Sequence, residues 1–270
     1  ADMQALRRVL DAHPNGKEAR LIEDACHAVG TIAQGGHPMG ACAFSDFATF
    51  SFHPVKTVAA GEGGMITCRD PKIAARLRLL RSHGITRDPS QFQNTDAAFD
   101  KNGAANPWYY EAIELGYNYR LTDIQAALGA SQLSRLAQFK SHRASLAARY
   151  DARLAQMPDL ITPTARKEGC DPCWHLYVAL IDFARLGMER ADVMNALRAA
   201  QIGSQVHYVP LHAQPALAQG ASPRVIHPVA TTGADHYYAR CLSLPLFQDM
   251  GLADVDYVCD TLFDLIHTAT

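Results

Sequence analysis

Residues 46–68 read DFATFSFHPVKTVAAGEGGMITC. From Asp46 to Phe52 polar and aromatic residues alternate, the period-two pattern of a strand with one buried face. Gly63 to Cys68 (GGMITC) reads as a second strand entered from a glycine-rich turn. Between them Pro54 and the run Gly61-Glu-Gly-Gly64 bound a loop that carries Lys56. A partly buried lysine gives up its charge more readily, and its free amine can form a Schiff base with an aldehyde. Ser51, five residues upstream, is placed to offer a hydroxyl to a phosphate. The other lysines, Lys17, Lys72, Lys101, Lys140 and Lys167, lie in polar or helical settings typical of solvated side chains. A lysine in a loop, taken singly, is ordinary surface decoration.

Working outward, Ala19 to Glu23 is a short strand candidate followed by Asp24, and Pro71 to Arg81 is helical, with Ile73, Leu77 and Leu80 on one face. Strands alternating with helices predict an α/β fold with a mainly parallel sheet and helices on both faces. Open sheets of that kind place ligands at the carboxyl ends of their strands, where Asp24 falls. An acid there can hold a positive ring nitrogen by a charge-assisted hydrogen bond. By itself Asp24 reads more simply as a strand-end turn carboxylate. Ser82 to Asn118 is a long loop rich in Gly, Asn, Asp and Pro, with Trp108, Tyr109 and Tyr110 clustered; such loops are functional or disordered. Asn118 precedes a helix start, where amide donors meet anions, and it too has a plain reading as a loop asparagine.

Thr122-Asp-Ile-Gln125 has the form of a capping box. It opens a long linking helix over about 122–156, loosened near Gly129 and ending before Pro158. The reading therefore divides the chain into a large domain, 1–135, and a smaller C-terminal α+β domain, 136–270. The latter is expected to hold a strand at Trp174–Ile181, a helix at Arg190–Ala200, an extended segment at Gln205–Leu211, a helix at 233–241 and a closing helix at 253–267. Residues 2–10 are predicted helical. The first residue is not Met, so the opening reads as the middle of a domain.

With 25 basic and 27 acidic residues the chain offers no general attraction to nucleic acid or an anionic membrane. No stretch suits a bilayer span, and the first 20 residues lack an apolar signal-peptide core. Seven scattered cysteines argue against a disulfide framework and for a reducing cytoplasm. Cys170-Asp-Pro-Cys173 has metal-like spacing, but with only His175 nearby a four-ligand site is not evident; a surface loop is the simpler reading, and no metal is expected.

Three segments, EDACHAVG, FSFHPVKTVAAGEGG and GYNYRLTDIQAALG, resemble together the sugar aminotransferases of the DegT/DnrJ/EryC family. Their order fits, as does the interval of 32 residues from Asp24 to Lys56. The resemblance covers nearly the whole chain. It implies the aspartate-aminotransferase-like fold (fold type I) with pyridoxal 5'-phosphate as cofactor. SHGITRDP, PWYYEAIELGYNYR and QVHYVPLHAQP are similar, within that family, to the UDP-4-amino-4,6-dideoxy-N-acetyl-β-L-altrosamine transaminases of pseudaminic acid biosynthesis.

The resemblance implies that Lys56 carries the cofactor and moves protons, that Asp24 pairs with the pyridine nitrogen, that His27 lies against the ring or its hydroxyl side, and that Ser51 binds the phosphate. Asn118 would reach the phosphate of a neighbouring subunit's cofactor, which makes the active unit a homodimer with shared sites. Gln205, His207 and Tyr208 are candidates for the sugar pocket. The partners implied are L-glutamate as amino donor and a UDP-linked 4-keto sugar as acceptor. Family members also carry, ahead of the part matched here, a segment of roughly a hundred residues, the scale of a domain. It holds a phosphate loop, a ring-stacking aromatic and part of the sugar pocket. Residues 1–270 alone are accordingly expected to bind cofactor poorly or not at all. Lys56 argues against the related dehydratases, which carry histidine there; a cofactor-free regulatory protein on the same scaffold is the reading from another class.

Overall fold

A computed structural model describes residues 1–218 and 232–269. The chain divides into two compact units, Ala1–Leu136 and Ala137–Thr270.

The first unit opens with α1 (Met3–Ala12), whose N-cap Asp2 accepts from the Ala5 N–H at 2.9 Å. Three strands follow, β1 (Ile22–Asp24), β2 (Phe47–Ser51) and β3 (Gly64–Cys68), in the spatial order β1-β2-β3. β1 and β2 are parallel, with Asp24 opposite Thr49. β2 and β3 are antiparallel, with Ser51 opposite Gly64. The expectation of a mainly parallel sheet is corrected here: the described sheet is mixed. The chain returns from β2 to β3 through a loop with no helix, which only an antiparallel pair permits. That loop is tied at its base by Phe52 N–H to the Gly63 carbonyl, 2.8 Å, and Ala60 N–H to the Phe52 carbonyl, 2.9 Å. Beneath it Phe52, Val58 and Ala60 form a small buried cluster with Val29, Phe50 and Leu136 against it.

α2 (Pro71–Leu80) starts where the sequence places it, with Pro71 in the first turn and the Asp70 carboxylate accepting from the Lys72 N–H at 2.8 Å. The long loop is more ordered than its composition suggests. It holds β4 (Ile85–Thr86), a 3-10 turn at Pro89–Gln91, α3 (Thr95–Ala98) and β5 (Glu111–Ala112), which pairs antiparallel with β4. Two backbones cross closely here. A Cβ on Gly84 (φ +70°) would lie 1.9 Å from the Glu114 carbonyl oxygen, and one on Gly116 would lie 2.3 Å from the Gly84 nitrogen. Only glycine fits on either side of that crossing. Beyond it His83 N–H donates to the Tyr117 carbonyl at 2.9 Å, and Ser82 bridges Asn118.

α4 (Asp123–Leu133) carries the expected capping box, with Gln125 N–H to Thr122 Oγ1 at 3.3 Å and Thr122 N–H to Gln125 Oε1 at 3.2 Å. The expected loosening near Gly129 does not occur. Gly129 is buried and helical, and a Cβ there would stand 3.6 Å from that of Ala60. A Cβ at that distance is in ordinary van der Waals contact, so the helix there faces the lysine loop without requiring a glycine. The helical run instead stops at Ser134, and α5 (Leu136–Leu154) begins anew.

The second unit is an antiparallel sheet, β6-β7-β8, with helices. β6 (Ile161–Pro163) and β7 (Tyr177–Ile181) are followed by α6 (Phe183–Leu186), α7 (Arg190–Ala199), α8 (Pro215–Ala218), α9 (Thr232–Arg240), β8 (Cys241–Leu244) and α10 (Leu252–Ala269). In β7 the residues Tyr177, Ala179 and Ile181 are buried and their neighbours half-buried, the alternation of a strand with one core face. The predicted strand from Trp174 starts only at Tyr177. Gln205–Leu211 is extended and touches the sheet by one bridge, Gln205 to Ser243. The core combines Leu146, Tyr150 and Leu154 of α5 with Leu197, Leu242, Val255 and Leu262. Tyr150 stacks on Tyr177 with ring centroids 4.6 Å apart, and its hydroxyl donates to the Pro245 carbonyl at 2.9 Å.

α5 and α10 are clamped at Asp256. Arg149 reaches both its oxygens at 2.8 Å, Arg153 donates to Oδ1 at 2.7 Å, and Arg153 also pairs with Asp260. Hydrogen bonds from Arg149 and then Arg153 pull the Asp256 carboxyl from its ordinary 3.8 to about 2. A depressed folded-state value means that Asp256 contributes stability above its unfolded value and loses it as the pH falls. The stability difference between the natural protein and Asp256→Asn is expected to be constant above pH 3.8 and to shrink as pH falls to about 2. Denaturant unfolding of both proteins across that range checks this; a pH-independent difference contradicts it.

Candidate active site

The site is built on the carboxyl ends of the two parallel strands. Asp24 ends β1 and Ser51 ends β2, two residues beyond the Thr49 that faces Asp24 across the pair. Asp24 is exposed and Ser51 half-buried. After Ser51 the chain turns tightly: His53 N–H donates to Ser51 Oγ at 3.3 Å, Val55 N–H to His53 Nδ1 at 3.3 Å, and Lys56 N–H to the His53 carbonyl at 2.9 Å. This turn sets Lys56, half-buried, over the sheet end, while the next residues, Thr57 and Val58, are buried and anchor it.

Electrostatics tie the parts together. The Cys26 thiol and backbone N–H, then the charges of His27 and Lys56, hold the Asp24 carboxyl below its ordinary 3.8 against the opposing effect of burial. Asp24, His27 and Lys56 thus share one neighbourhood, with Ser51 on the adjoining strand. Asn118 is exposed in the segment after the glycine crossing. The residues that follow it, Tyr119, Arg120 and Leu121, line a cleft with Glu62, Gly63, Gly64 and Gln125. Gln205, His207 and Tyr208 belong to the second unit, where His207 Nδ1 and Ser243 Oγ are 2.7 Å apart and Tyr237 donates to the His207 carbonyl at 3.0 Å.

Cys26 and Thr49 were not among the sequence candidates. The signal was present: a residue two positions after an aspartate is where an Asx turn puts its N–H. Of the CxxC pair, Cys173 is buried and Cys170 half-buried, and neither forms a disulfide. Among the described residues no three His, Cys, Asp or Glu side chains gather as a metal site. No described helix is long and apolar enough to cross a membrane.

Solved structures share this fold. PseC of Helicobacter pylori, an aminotransferase involved in pseudoaminic acid biosynthesis, superposes with a TM-score of 0.82 over 99% of this chain and 64% of its own, at 22% identity. Spr1654 of Streptococcus pneumoniae, solved in PLP and PMP forms, gives TM-scores of 0.77 and 0.79 over 100% of this chain and 66–67% of its own, at 26% and 25% identity. The fold is that of the fold type I, PLP-dependent sugar aminotransferases.

The profile of the DegT/DnrJ/EryC1/StrS aminotransferase family matches residues 1–263, and the chain belongs to that family. The spore coat polysaccharide biosynthesis protein SpsC of Bacillus subtilis is 35% identical over 269 residues, 99% of this chain. The chain spans 64% of the length of SpsC.

Proposed function

We propose that this chain is the lysine-bearing part of a nucleotide-sugar aminotransferase that passes an amino group from L-glutamate to the 4-keto group of a UDP-2-acetamido-2,6-dideoxy-hexos-4-ulose. The observation that carries the reading is the placement of Asp24 and Ser51 at the carboxyl ends of paired parallel strands, with Lys56 half-buried in the turn that follows Ser51. The family profile and the PLP and PMP forms of Spr1654 support it, and the narrower substrate rests on the likeness of residues 82–89, 107–120 and 205–215 to the altrosamine transaminases.

The cofactor is pyridoxal phosphate, and the residues present fit it. A carboxylate held ionised at a strand end suits a pyridinium nitrogen. A hydroxyl on the next strand end suits a phosphate, and a half-buried lysine in the turn beyond it suits an aldehyde. When bound, the group supplies an electron sink for the carbon that gains or loses the amine. Asp24 keeps its ring nitrogen protonated. Ser51 holds the phosphate and so fixes the ring's position. His27 would lie against the ring or hold its hydroxyl side. Lys56 would hold the cofactor through its amine and would serve as general acid and base, moving a proton at the reacting carbon. Asn118 reaches the cofactor phosphate of a second subunit, making the working enzyme a cytoplasmic homodimer. Gln205, His207 and Tyr208 contribute to the sugar pocket.

Borohydride reduction of the cofactor-loaded enzyme followed by peptide mapping tests the reading. The label is expected on Lys56. A label on Lys17, Lys72 or any other lysine sinks it.

A further inference from the structure

In the second unit β8 lies between β7 and the extended segment Gln205–Leu211. Ser243 is the register partner of Val178 on one side and bridges Gln205 on the other. Gln205 N–H donates to the Ser243 carbonyl at 3.2 Å, and Ser243 N–H donates to the Gln205 carbonyl at 2.8 Å. Two residues further along, side chains hold the segment. Ser243 Oγ and His207 Nδ1 are 2.7 Å apart. Tyr237, on α9, donates its hydroxyl to the His207 carbonyl at 3.0 Å. The ring and the backbone of His207 are therefore gripped by two different residues.

Neither of those two residues is itself presented outward. Ser243 is buried and Tyr237 half-buried. Leu242 and Leu244 belong to the core, so the pleat turns Ser243 to the opposite face of the strand. A hydroxyl buried there needs a partner, and the His207 ring supplies it. What the pair holds is more open. Tyr208 is 59% exposed, and its ring meets that of His207 in a T-shaped contact with centroids 4.5 Å apart. An imidazole on an extended segment has several rotamers open to it. A hydrogen bond at Nδ1 selects one and sets which ring nitrogen carries the proton. It thereby also fixes the base on which the exposed Tyr208 ring stands.

We propose that Ser243 and Tyr237 are positioning residues for recognition of the nucleotide sugar. Ser243 sets the His207 ring, Tyr237 sets its peptide group, and together they hold His207 and Tyr208 in one geometry toward the polar groups of the sugar. This role rests on the reading of His207 and Tyr208 as part of the sugar pocket. Both bonds come from side-chain hydroxyls, so each is removed by a substitution that leaves the backbone untouched.

The experiment is steady-state kinetics of the cofactor-loaded, full-length enzyme with L-glutamate and the UDP-linked 4-keto sugar. The proteins compared are the natural one, Ser243→Ala, Tyr237→Phe, His207→Ala and the double variant Ser243→Ala/His207→Ala. Ser243→Ala and Tyr237→Phe are each expected to raise the KM for the sugar by roughly three- to tenfold, the worth of one modest hydrogen bond, with the KM for glutamate held within about twofold. A residue that acts through His207 has nothing to act on once that ring is gone, so the double variant is expected to match His207→Ala alone. General damage to the fold would instead move both KM values and add to the loss of the ring. An unchanged sugar KM in either single variant overturns the role of that residue, and a double variant whose effects add overturns that of Ser243. Tyr237→Phe keeps its ring and remains decisive if Ser243→Ala does not fold. If His207→Ala raises the sugar KM while Ser243→Ala and Tyr237→Phe do not, the proposal falls and the sugar-pocket reading stands. If His207→Ala leaves it unchanged, that reading falls and takes the proposal with it. The borohydride label reports on the aminotransferase reading separately.

Discussion

Lys56→Ala is expected to lower the kcat of amino transfer in the full-length enzyme by about 10²–10⁴-fold, the usual worth of a positioned acid–base group, and to abolish borohydride labelling. The reason is that one amine performs two tasks. On the proposed reading it would anchor the cofactor and would carry the proton between substrate and cofactor carbon. The decisive comparison is Lys56→Arg. Arginine keeps a positive charge near Asp24, where the charge of Lys56 is felt, but its guanidinium stays protonated and offers no free amine. If Lys56 acted only as a charge, the arginine variant would retain most of the rate. It is expected to be as slow as alanine. Lys72→Ala, in the exposed first turn of α2, serves as the control and should leave kcat unchanged. Single-turnover kinetics with L-glutamate separate the first half-reaction from product release; an active Lys56→Arg would end the covalent reading.

Gly84→Ala is expected to be strongly destabilising. Its φ of +70° disfavours any side chain, and the new Cβ would sit 1.9 Å from the Glu114 oxygen and 2.6 Å from its carbonyl carbon. Those are backbone atoms and cannot rotate aside, so the two crossing segments must separate. Gly103 supplies the comparison: its φ is +82°, yet nothing lies within 4 Å of a Cβ there. Gly103→Ala should therefore cost only the backbone strain, about 1–2 kcal/mol, whereas Gly84→Ala should exceed it by roughly 2 kcal/mol or more. Denaturant midpoints of the two variants measure the difference. Gly84→Ala should also weaken cofactor binding, because Asn118 lies just beyond the crossing and bridges Ser82. Equal destabilisation by the two alanines would show that the close approach carries no energy.

What the sequence revealed was whatever depends on neighbouring residues. The alternation in 46–52 marks β2, the glycine turn marks the start of β3, and Thr122 with Gln125 marks the start of α4, because periodicity, turn chemistry and capping act over a few positions. Helix boundaries at Pro71 and Arg190 follow from the same local physics. Strand direction does not. Nothing in Gly64–Cys68 says whether it runs with or against β2; the route of the intervening loop decides, and that route is a tertiary property. Gly129 misled for a related reason. A glycine in a helical pattern reads as a weak point, but Gly129 is buried within an unbroken helix, facing Ala60 from 69 positions earlier in the chain.

The candidate site divides along the same line. Asp24, Ser51 and Lys56 stand at strand ends or in a turn that local pattern locates, and the structure puts His27 and Lys56 where their charges reach Asp24. Cys26 escaped notice because cysteine chemistry was sought in the CxxC spacing, whereas its contact to Thr49 requires two strands 23 residues apart to be paired. Gln205, His207 and Tyr208 were chosen on resemblance, and the packing of His207 against Ser243 could not have been inferred from residue types.

The two units differ in how much apolar material they bury. The cluster in the second brings together 21 buried residues, while the cluster under the lysine loop has three. Tolerance to mutation should be divided accordingly. A slightly damaging replacement among residues 137–270 draws on a deep reserve, whereas the same loss near Phe52 or Val58 reaches the reacting groups almost directly.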